Sequence, residues 1–463
     1  MTPTMDLVRE AFHYRSRFAG STLVFKIDFP VVVEPSFPSF VKDLALLAQN
    51  GFRVVLVPGA REWIDAVLAE NGIVTSCAPS AAHGSIRITG ERAMPFVEMA
   101  AFHVAARFMT TLSANRCDSV IGNFVRARGL GILDGLDMEH TGKVEKILVK
   151  PIAKILDSGM IAILPCIGWN SSGKAYNVQS DEIALAASGA LEAVKLFIVS
   201  AGKNLLSLKL PDTLTKIAQD SNEQCERIVR LTPKETETIL NMNKAAENTE
   251  IPPEACPQAG MQRAENKALE ELRLALAASK AGVERIHIID GREEGAVLGE
   301  LFSNMGSGTM IYADEYEAIR PLETQDIPDI LRIMEPLMQQ GILIRRTAEA
   351  IQEKKEDYWV FGIDGHAHAG AALHRWGVQG EIAAIAVDST YADMGLGSRI
   401  VRFLITKAAK DGLRRVFVLT TQTQDWFETL GFKESSLETL PEERKKTYDL
   451  ERKSKVYALE LVK

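Results

Sequence analysis

Cysteine is scarce in this sequence: five residues in 463 (Cys77, Cys117, Cys166, Cys225 and Cys256), no two of them in C-x-x-C spacing. An odd, dispersed set implies reduced thiols in a cytoplasmic chain and argues against both a disulfide framework and a zinc site. Histidine is nearly as sparse, eight in all, and H-E-x-x-H does not occur; the close pair His366 and His368 follows Asp364-Gly365 and reads as a turn edge, so no metal is expected. No stretch approaches the ~20 consecutive apolar residues of a membrane-spanning helix. The start, Met1-Thr-Pro-Thr-Met-Asp-Leu-Val-Arg-Glu, has no apolar run followed by a small-residue cleavage site. Positive charge is in deficit, with 53 Lys and Arg against 61 Asp and Glu. A net −8 gives no broad basic face for nucleic acid. No membrane and no nucleic acid are therefore expected as partners.

What is present is an ordinary globular composition, 46% hydrophobic and 25% charged, over a length that calls for two or three domains. Leu7, Val8, Ala11, Phe12 and Tyr14 share helical spacing in an amphipathic first segment, residues 1–18. The apolar run from Thr22 to Phe29, a helix over 40–50 closed by Gly51, and the run Arg53-Val-Val-Leu-Val-Pro predict strand, helix, strand in parallel. Strands are again predicted at 161–165, 195–200 and 283–289. A helix over 266–280 carries Leu269, Leu272 and Leu276 on one face. Residues 1–310 thus read as an αβα sandwich with a mainly parallel sheet. Within it, the polar stretch 211–262 is expected to be a partly mobile surface excursion.

The texture changes at Met305-Gly-Ser-Gly-Thr-Met. From 320 a helix is predicted behind Thr324 as N-cap, ending at Gln340-Gly341. Two strands then flank Asp364-Gly365 as a hairpin, and a third runs over 381–387. Gly395-Leu-Gly397 follows, with a helix to about 410, a strand over 415–421, a short helix around Trp426-Phe427 and a last strand over 455–461. This is a small α+β domain. Its central feature is a strand followed by a Gly-rich turn and a helix, which gathers unpaired amides and the positive end of a helix dipole where a pyrophosphate can sit. Such a turn alone is weak evidence, and the surrounding hairpins fit a dinucleotide-binding sheet poorly.

Longer stretches carry a resemblance. Gln340-Gly-Ile-Leu-Ile-Arg-Arg-Thr, Gly380-Glu-Ile-Ala-Ala-Ile-Ala-Val, Leu419-Thr-Thr-Gln-Thr-Gln-Asp-Trp-Phe-Glu-Thr-Leu-Gly-Phe and Leu440-Pro-Glu-Glu-Arg-Lys-Lys-Thr-Tyr with Glu451-Arg-Lys-Ser-Lys-Val resemble the GNAT-type acetyltransferase domain of the bacterial N-acetylglutamate synthase family. In that family it follows an amino-acid-kinase-like domain; Ala175-Tyr-Asn-Val-Gln-Ser-Asp-Glu-Ile-Ala and Gly306-Ser-Gly-Thr-Met resemble the latter in pattern and order. The resemblance implies an α/β protein: an amino-acid-kinase-like domain over 1–310, regulatory and catalytically silent, and a GNAT domain over 320–463. It implies acetyl transfer from acetyl-CoA to the α-amine of L-glutamate, the first step of arginine biosynthesis, with L-arginine as feedback effector.

Acyl transfer from a thioester needs deprotonation of the amine, its alignment, and stabilisation of the leaving thiolate. Glu381, at the start of the strand entering the site, is the general-base candidate, and the resemblance points to it too; the alternative is a solvated strand-end carboxylate. Thr420 stands where the family has a hydroxyl near the leaving sulfur. Acetyl-CoA contacts are expected from Ile385, Ala386, Val387, Asp393, Met394, Gly395, Leu396, Gly397 and Ser398. Arg345 or Arg346, with Arg452 and Ser454, are expected to hold the two carboxylates of glutamate through guanidinium forks; one of the adjacent pair should face solvent if their segment is extended. Ala392 replaces the Gln or Arg common three residues before the first motif glycine, which shifts coenzyme A binding toward backbone amides. Ala384 stands where Cys is frequent, and a small core residue serves equally.

In the first domain the kinase loops are degraded. Lys26-Ile-Asp-Phe-Pro replaces a Lys followed by Gly-Gly, and Pro58-Gly-Ala-Arg-Glu retains one glycine. Effector contacts are expected from Glu300 and from Gly306, Ser307, Gly308 and Thr309, a stretch that could equally be a hinge. A homo-oligomer is expected. Two other readings stay open: an acylamino-acid kinase with an appended acyltransferase, supported by Lys26 and Asn177-Val-Gln-Ser-Asp181, and a non-catalytic arginine sensor.

Overall fold

A computed structural model describes residues 18–461 except 81–83, 203, 212–215, 219–225, 244–256, 303–305, 313–316, 364–365, 390–394 and 451. The amphipathic segment expected over 1–18 therefore lies almost wholly outside the described residues, as do Asp393, Met394 and the Asp364-Gly365 turn. The chain forms two compact units, Met1–Ala313 and Asp314–Lys463.

The first unit is built on an eight-stranded sheet. Its strands are β1 (Thr22–Ile27), β2 (Arg53–Pro58), β5 (Ser119–Ile121), β6 (Ile161–Ile163), β7 (Lys195–Ser200), β8 (Arg230–Leu231), β9 (Arg285–Asp290) and β10 (Thr309–Tyr312); β3 (Cys77–Ser80) and β4 (Gly84–Arg87) form a separate hairpin. The order across the sheet is β8-β10-β9-β7-β1-β2-β6-β5, with β5, β6, β2, β1, β7 and β9 parallel and β10 antiparallel to β9. β1, β2 and β7 are buried along nearly their whole length. This is why their sequences read as continuous apolar runs and not as alternating ones. Helices on the two faces include α1 (Phe37–Gln49), α2 (Arg61–Glu70), α3 (Met94–Ala114), α4 (Ser180–Ala190), α5 (Pro233–Met242), α6 (Pro257–Lys280) and α7 (Ala296–Phe302). Two separate clusters of buried side chains, one centred on Phe25, Leu44 and Phe108 and the other on Val24, Ile198 and Leu272, occupy the two faces.

The stretch expected to be a surface excursion contributes regular elements to the first unit. β8 joins the main sheet, and α5 starts at a reciprocal capping box in which the Thr232 hydroxyl accepts from Glu235 N while the Glu235 carboxylate accepts from Thr232 N. The Thr-x-x-Glu signal for that start was in the sequence.

The second unit is a seven-stranded sheet of β11 (Glu317–Pro321), β12 (Tyr358–Ile363), β13 (His366–Trp376), β14 (Gln379–Val387), β15 (Arg415–Thr420), β16 (Lys433–Ser435) and β17 (Lys455–Glu460), ordered β11-β12-β13-β14-β15-β17-β16. All neighbours are antiparallel except β14 and β15. The sheet is packed by α8 (Ile327–Gln339) and α9 (Leu396–Lys410), with α10 (Gln424–Thr429) and α11 (Glu442–Lys446) toward the C-terminal end. Thr324 does not cap α8, contrary to the sequence reading. It sits inside a 3-10 turn whose reciprocal cap is Glu323 with Asp326, because Asp326 already accepts both a bidentate Arg320 guanidinium and the Glu323 amide.

Candidate active site

The parallel pair β14/β15 is joined over only three rungs, Gln379 with Arg415, Gly380 with Val416 and Glu381 with Phe417. Beyond Glu381 each strand continues, β14 on β13 as far as Val387 and β15 on β17 as far as Thr420, but not on each other. The cause is local. Between the pairs Ala372–Ala383 and Gly370–Ala386, β14 has one residue more than β13, and Ala384 adopts φ +57°. A bulge of this kind turns the strand away from its other neighbour. The result is a cleft between the two strands, bordered by Ile385, Ala386 and Val387, whose edge toward β15 has no strand partner among the described residues, the arrangement that strand addition uses.

At the end of this cleft α9 begins. Gly395 is its N-cap at φ +67°, a conformation that suits glycine, with no side-chain cap and no acidic residue in the first turn. Among the described residues no side chain caps this helix start, so the amides of Leu396, Gly397 and Ser398 suit an anion. A Cβ at Gly397 would lie 3.4 Å from both Val387 Cγ2 and Trp426 Cζ2, which puts the helix start beside the cleft.

Glu381 stands at the last rung, 5% exposed. It is not a solvated strand-end group. Arg444 of α11 donates from Nε to Oε2 at 2.7 Å and from Nη2 to Oε1 at 2.9 Å, and Trp376 Nε1 donates to Oε2 at 3.1 Å. Neither Arg444 nor Trp376 was picked out from sequence. Arg444 lies inside the matched Leu440–Tyr448 stretch, the one signal that could have found it.

Thr420, buried at the end of β15, shares a hydrogen bond with the Thr423 hydroxyl at 2.9 Å and accepts from Thr423 N at 3.1 Å. Arg452 donates from Nη2 to the Ile342 carbonyl, so the two matched stretches around 340–347 and 451–456 meet. Ser454 is buried beside them, its carbonyl accepting from Tyr448 Oη at 2.6 Å. Arg345 is exposed, whereas Arg346 is half-buried near Tyr358. Burial raises the Tyr358 phenol above its ordinary value, opposed by its interaction with Arg346.

In the first unit, Glu300 is already engaged. Its Oε1 lies 2.6 Å from His287 Nδ1, and Oε2 accepts from Ser307 N at 2.6 Å and Gly308 N at 2.7 Å. Burial pushes His287 down to about 4, with Lys195 adding to it, so the ring is neutral at pH 7. Burial alone would raise Glu300, but His287 and the two amides hold it below the usual carboxylate range. The Gly306–Thr309 segment is therefore folded around Glu300; a Cβ on Gly306 would meet Glu300 Oε2 at 2.5 Å. Among the described residues, no group of three or more His, Cys, Asp and Glu side chains could hold a metal ion, and no helix is long and apolar enough to cross a membrane.

Residues 20–229 match the amino acid kinase family and residues 326–432 the acetyltransferase (GNAT) family. The chain is 32% identical to the amino-acid acetyltransferase of Pseudomonas aeruginosa over 99% of both sequences. It is also 32% identical to that of Photobacterium profundum over 97% of both. Among solved structures, N-acetylglutamate synthase from Neisseria gonorrhoeae complexed with coenzyme A and L-arginine aligns over 100% of both chains, with a TM-score of 0.78 and 28% identity. The same synthase complexed with coenzyme A and N-acetyl-glutamate aligns with a TM-score of 0.59 and 29% identity.

Proposed function

The chain belongs to the amino-acid acetyltransferase family, and on that premise we propose that it acetylates the α-amine of L-glutamate. It is an acyltransferase enzyme, an amino-acid kinase fold followed by a GNAT domain, and acetyl-CoA is its cosubstrate. The observation that carries the proposal is the cleft between β14 and β15, which runs from the bare start of α9 to Glu381.

In this reading the amides of Leu396, Gly397 and Ser398, with Asp393 and Met394 before them, hold the pyrophosphate of acetyl-CoA. The pantetheine lies along Ile385, Ala386 and Val387. Arg346, Arg452 and Ser454 take the glutamate carboxylates, with Arg345 at the solvent side. Glu381 accepts the ammonium proton, directly or through a water, and Arg444 and Trp376 fix the orientation of its carboxylate. The freed amine attacks the thioester carbonyl; the C–S bond breaks, coenzyme A leaves as a thiolate beside the Thr420 hydroxyl, and that thiolate takes up the second proton, which the nitrogen sheds as it becomes an amide. The products are N-acetylglutamate and coenzyme A, and the step opens arginine biosynthesis.

We further infer that the first unit is regulatory and forms a homo-oligomer. L-Arginine acts there as effector through Glu300 and the 306–309 segment, where a guanidinium would compete with His287 for the carboxylate. The coenzyme A released by purified protein from acetyl-CoA, across a panel of amino acids and with or without arginine, tests these assignments together. Turnover with glutamate at least tenfold above that with other amino acids is expected; a different preferred amine would overturn the substrate.

A further inference from the structure

Acetylation of an amine by a thioester leaves one proton over. An ammonium group gives up two protons in becoming an amide; the departing thiolate takes one, and the other has to reach water before the base can act again. Glu381, which receives that proton in the reading above, is poorly placed to pass it on. Its side chain is 7% exposed. Oε2 accepts from Arg444 Nε and Trp376 Nε1, and Oε1 accepts from Arg444 Nη2. Of the about four acceptor directions of a carboxylate, the one left is on Oε1. Arginine and tryptophan are donors only and take up no proton. The exit has to run through another group.

His374 stands where such a group is needed. In the antiparallel pairing of β13 with β14 it lies directly opposite Glu381, and Trp376 lies opposite Gln379. Residues two apart on a strand share a face, and Trp376 reaches Glu381 on that face. His374 and Glu381 are therefore cross-strand neighbours, with Cβ atoms about 4.5–5.5 Å apart. Asp357, just before β12, fixes the imidazole: its Oδ2 lies 2.7 Å from His374 Nδ1. A carboxylate only accepts, so Nδ1 carries the hydrogen and Nε2 presents its lone pair. The Tyr358 ring meets the imidazole edge-on, 6.1 Å away at 80°. Burial raises the Tyr358 phenol, so Tyr358 keeps its own proton and does not compete for this one. Exposure rises along the series, from 7% for the Glu381 side chain to 17% for His374 and 37% for Asp357. The three groups lead outward.

We propose that His374, held by Asp357, is the proton exit of the acetyl-transfer site. Nε2 takes the proton from Glu381, directly or across one water, Asp357 steadies the imidazolium that forms, and the ring then returns the proton to solvent. His374 acts through Glu381 and does not touch the substrate. The relay rests on Glu381 being the base, as proposed above, and not on glutamate being the amine, because every ammonium group acetylated by a thioester sheds the same proton. The test is coenzyme A release by the full chain and its variants, with the amine that the wild type turns over fastest. His374→Ala is expected to lower kcat by about 10²-fold, the lower end of what a positioned proton-transfer group contributes, with KM for the amine and for acetyl-CoA retained. Imidazole added to the assay is expected to restore the rate of His374→Ala with saturation, and to do nothing for the wild type or for Glu381→Gln. His374→Gln, which fills the site, is expected to be slow and to resist rescue. Added to Glu381→Gln, His374→Ala is expected to cost nothing more, as for two groups in one relay. Unchanged kcat in both His374 variants, a loss that imidazole does not restore, or a full further loss on top of Glu381→Gln would overturn the relay. Rescue seen with an amine other than glutamate supports the relay and refutes the substrate proposed above; glutamate turnover with unchanged kcat in the His374 variants does the reverse.

Discussion

Both units bring the end of a parallel strand up to the start of a helix, and they treat charge there in opposite ways. In the first unit, β1 delivers Lys26 and α4 opens with Asp181. Asp28 and Lys267 complete a buried set whose charges cancel internally. In the second, β14 ends beside α9, whose first turn carries no acid and whose N-cap makes no side-chain bond. The backbone device is shared. What differs is the charge placed beside it: carboxylates in the first unit, none in the first turn of α9.

The largest effect is expected at the chemical end of the second unit. Glu381→Gln is expected to lower kcat by about 10²–10⁴, the usual worth of a general base, in a coenzyme A release assay on folded protein. A loss smaller than tenfold would remove Glu381 from proton transfer. Next, Asp28→Ala leaves the buried Lys26 with Asp181 alone and removes the 2.6 Å partner of the half-buried Lys267, and should cost about 3–5 kcal/mol in urea unfolding of the full chain, with KM for acetyl-CoA unchanged. The wild-type acid limb bears on the same carboxylate. Burial raises Asp28, but Lys26 and Lys267 outweigh it and bring it down to about 2. A lowered carboxylate stabilises the fold above its unfolded value of ~3.9, and that stability, roughly 2–3 kcal/mol, is lost as pH falls from about 4 toward 2. The Asp28→Ala acid limb should be shallower by that amount; equal slopes would show the cluster to be uncoupled.

Smaller effects separate the two helix starts further. Glu300→Gln is expected to weaken the response to arginine at least tenfold, read as the arginine concentration giving half-maximal change in rate, with uninhibited kcat retained. Ser398→Asp places in the first turn of α9 the kind of charge that α4 already carries. It should raise KM for acetyl-CoA about three- to tenfold, in keeping with ~1 kcal/mol for a charge at a helix start, and leave kcat at saturation alone.

The elements that the sequence made legible are those whose signal is local. β2 and β7 were predicted to the residue because strands buried on both faces are apolar throughout, and α9 because a glycine pair stands before a periodic run. The positions of Glu381 and Thr420 at the ends of adjacent strands were legible for the same reason. Arg444, 63 residues from Glu381 in the chain, was not, because pairing across such a distance leaves no spacing to read. Lys267 escaped likewise: in sequence it is one more charge on a helix, and only the fold brings it to 2.6 Å from Asp28. Asp28 itself was in view as a departure from the glycine pattern. That it contributes a charge, and does not merely take away flexibility, became visible only in three dimensions.

Ala384 carries the last consequence. A residue other than glycine in the left-handed region costs roughly 1–2 kcal/mol, and Ala384, at φ +57°, carries that cost within the fold. The divergence of β14 from β15 is thus paid in advance by the folding of the whole sheet. In the proposed function, a pantetheine arm entering the gap would meet a seat shaped by the sheet itself, and its affinity would be spared the entropy of opening one.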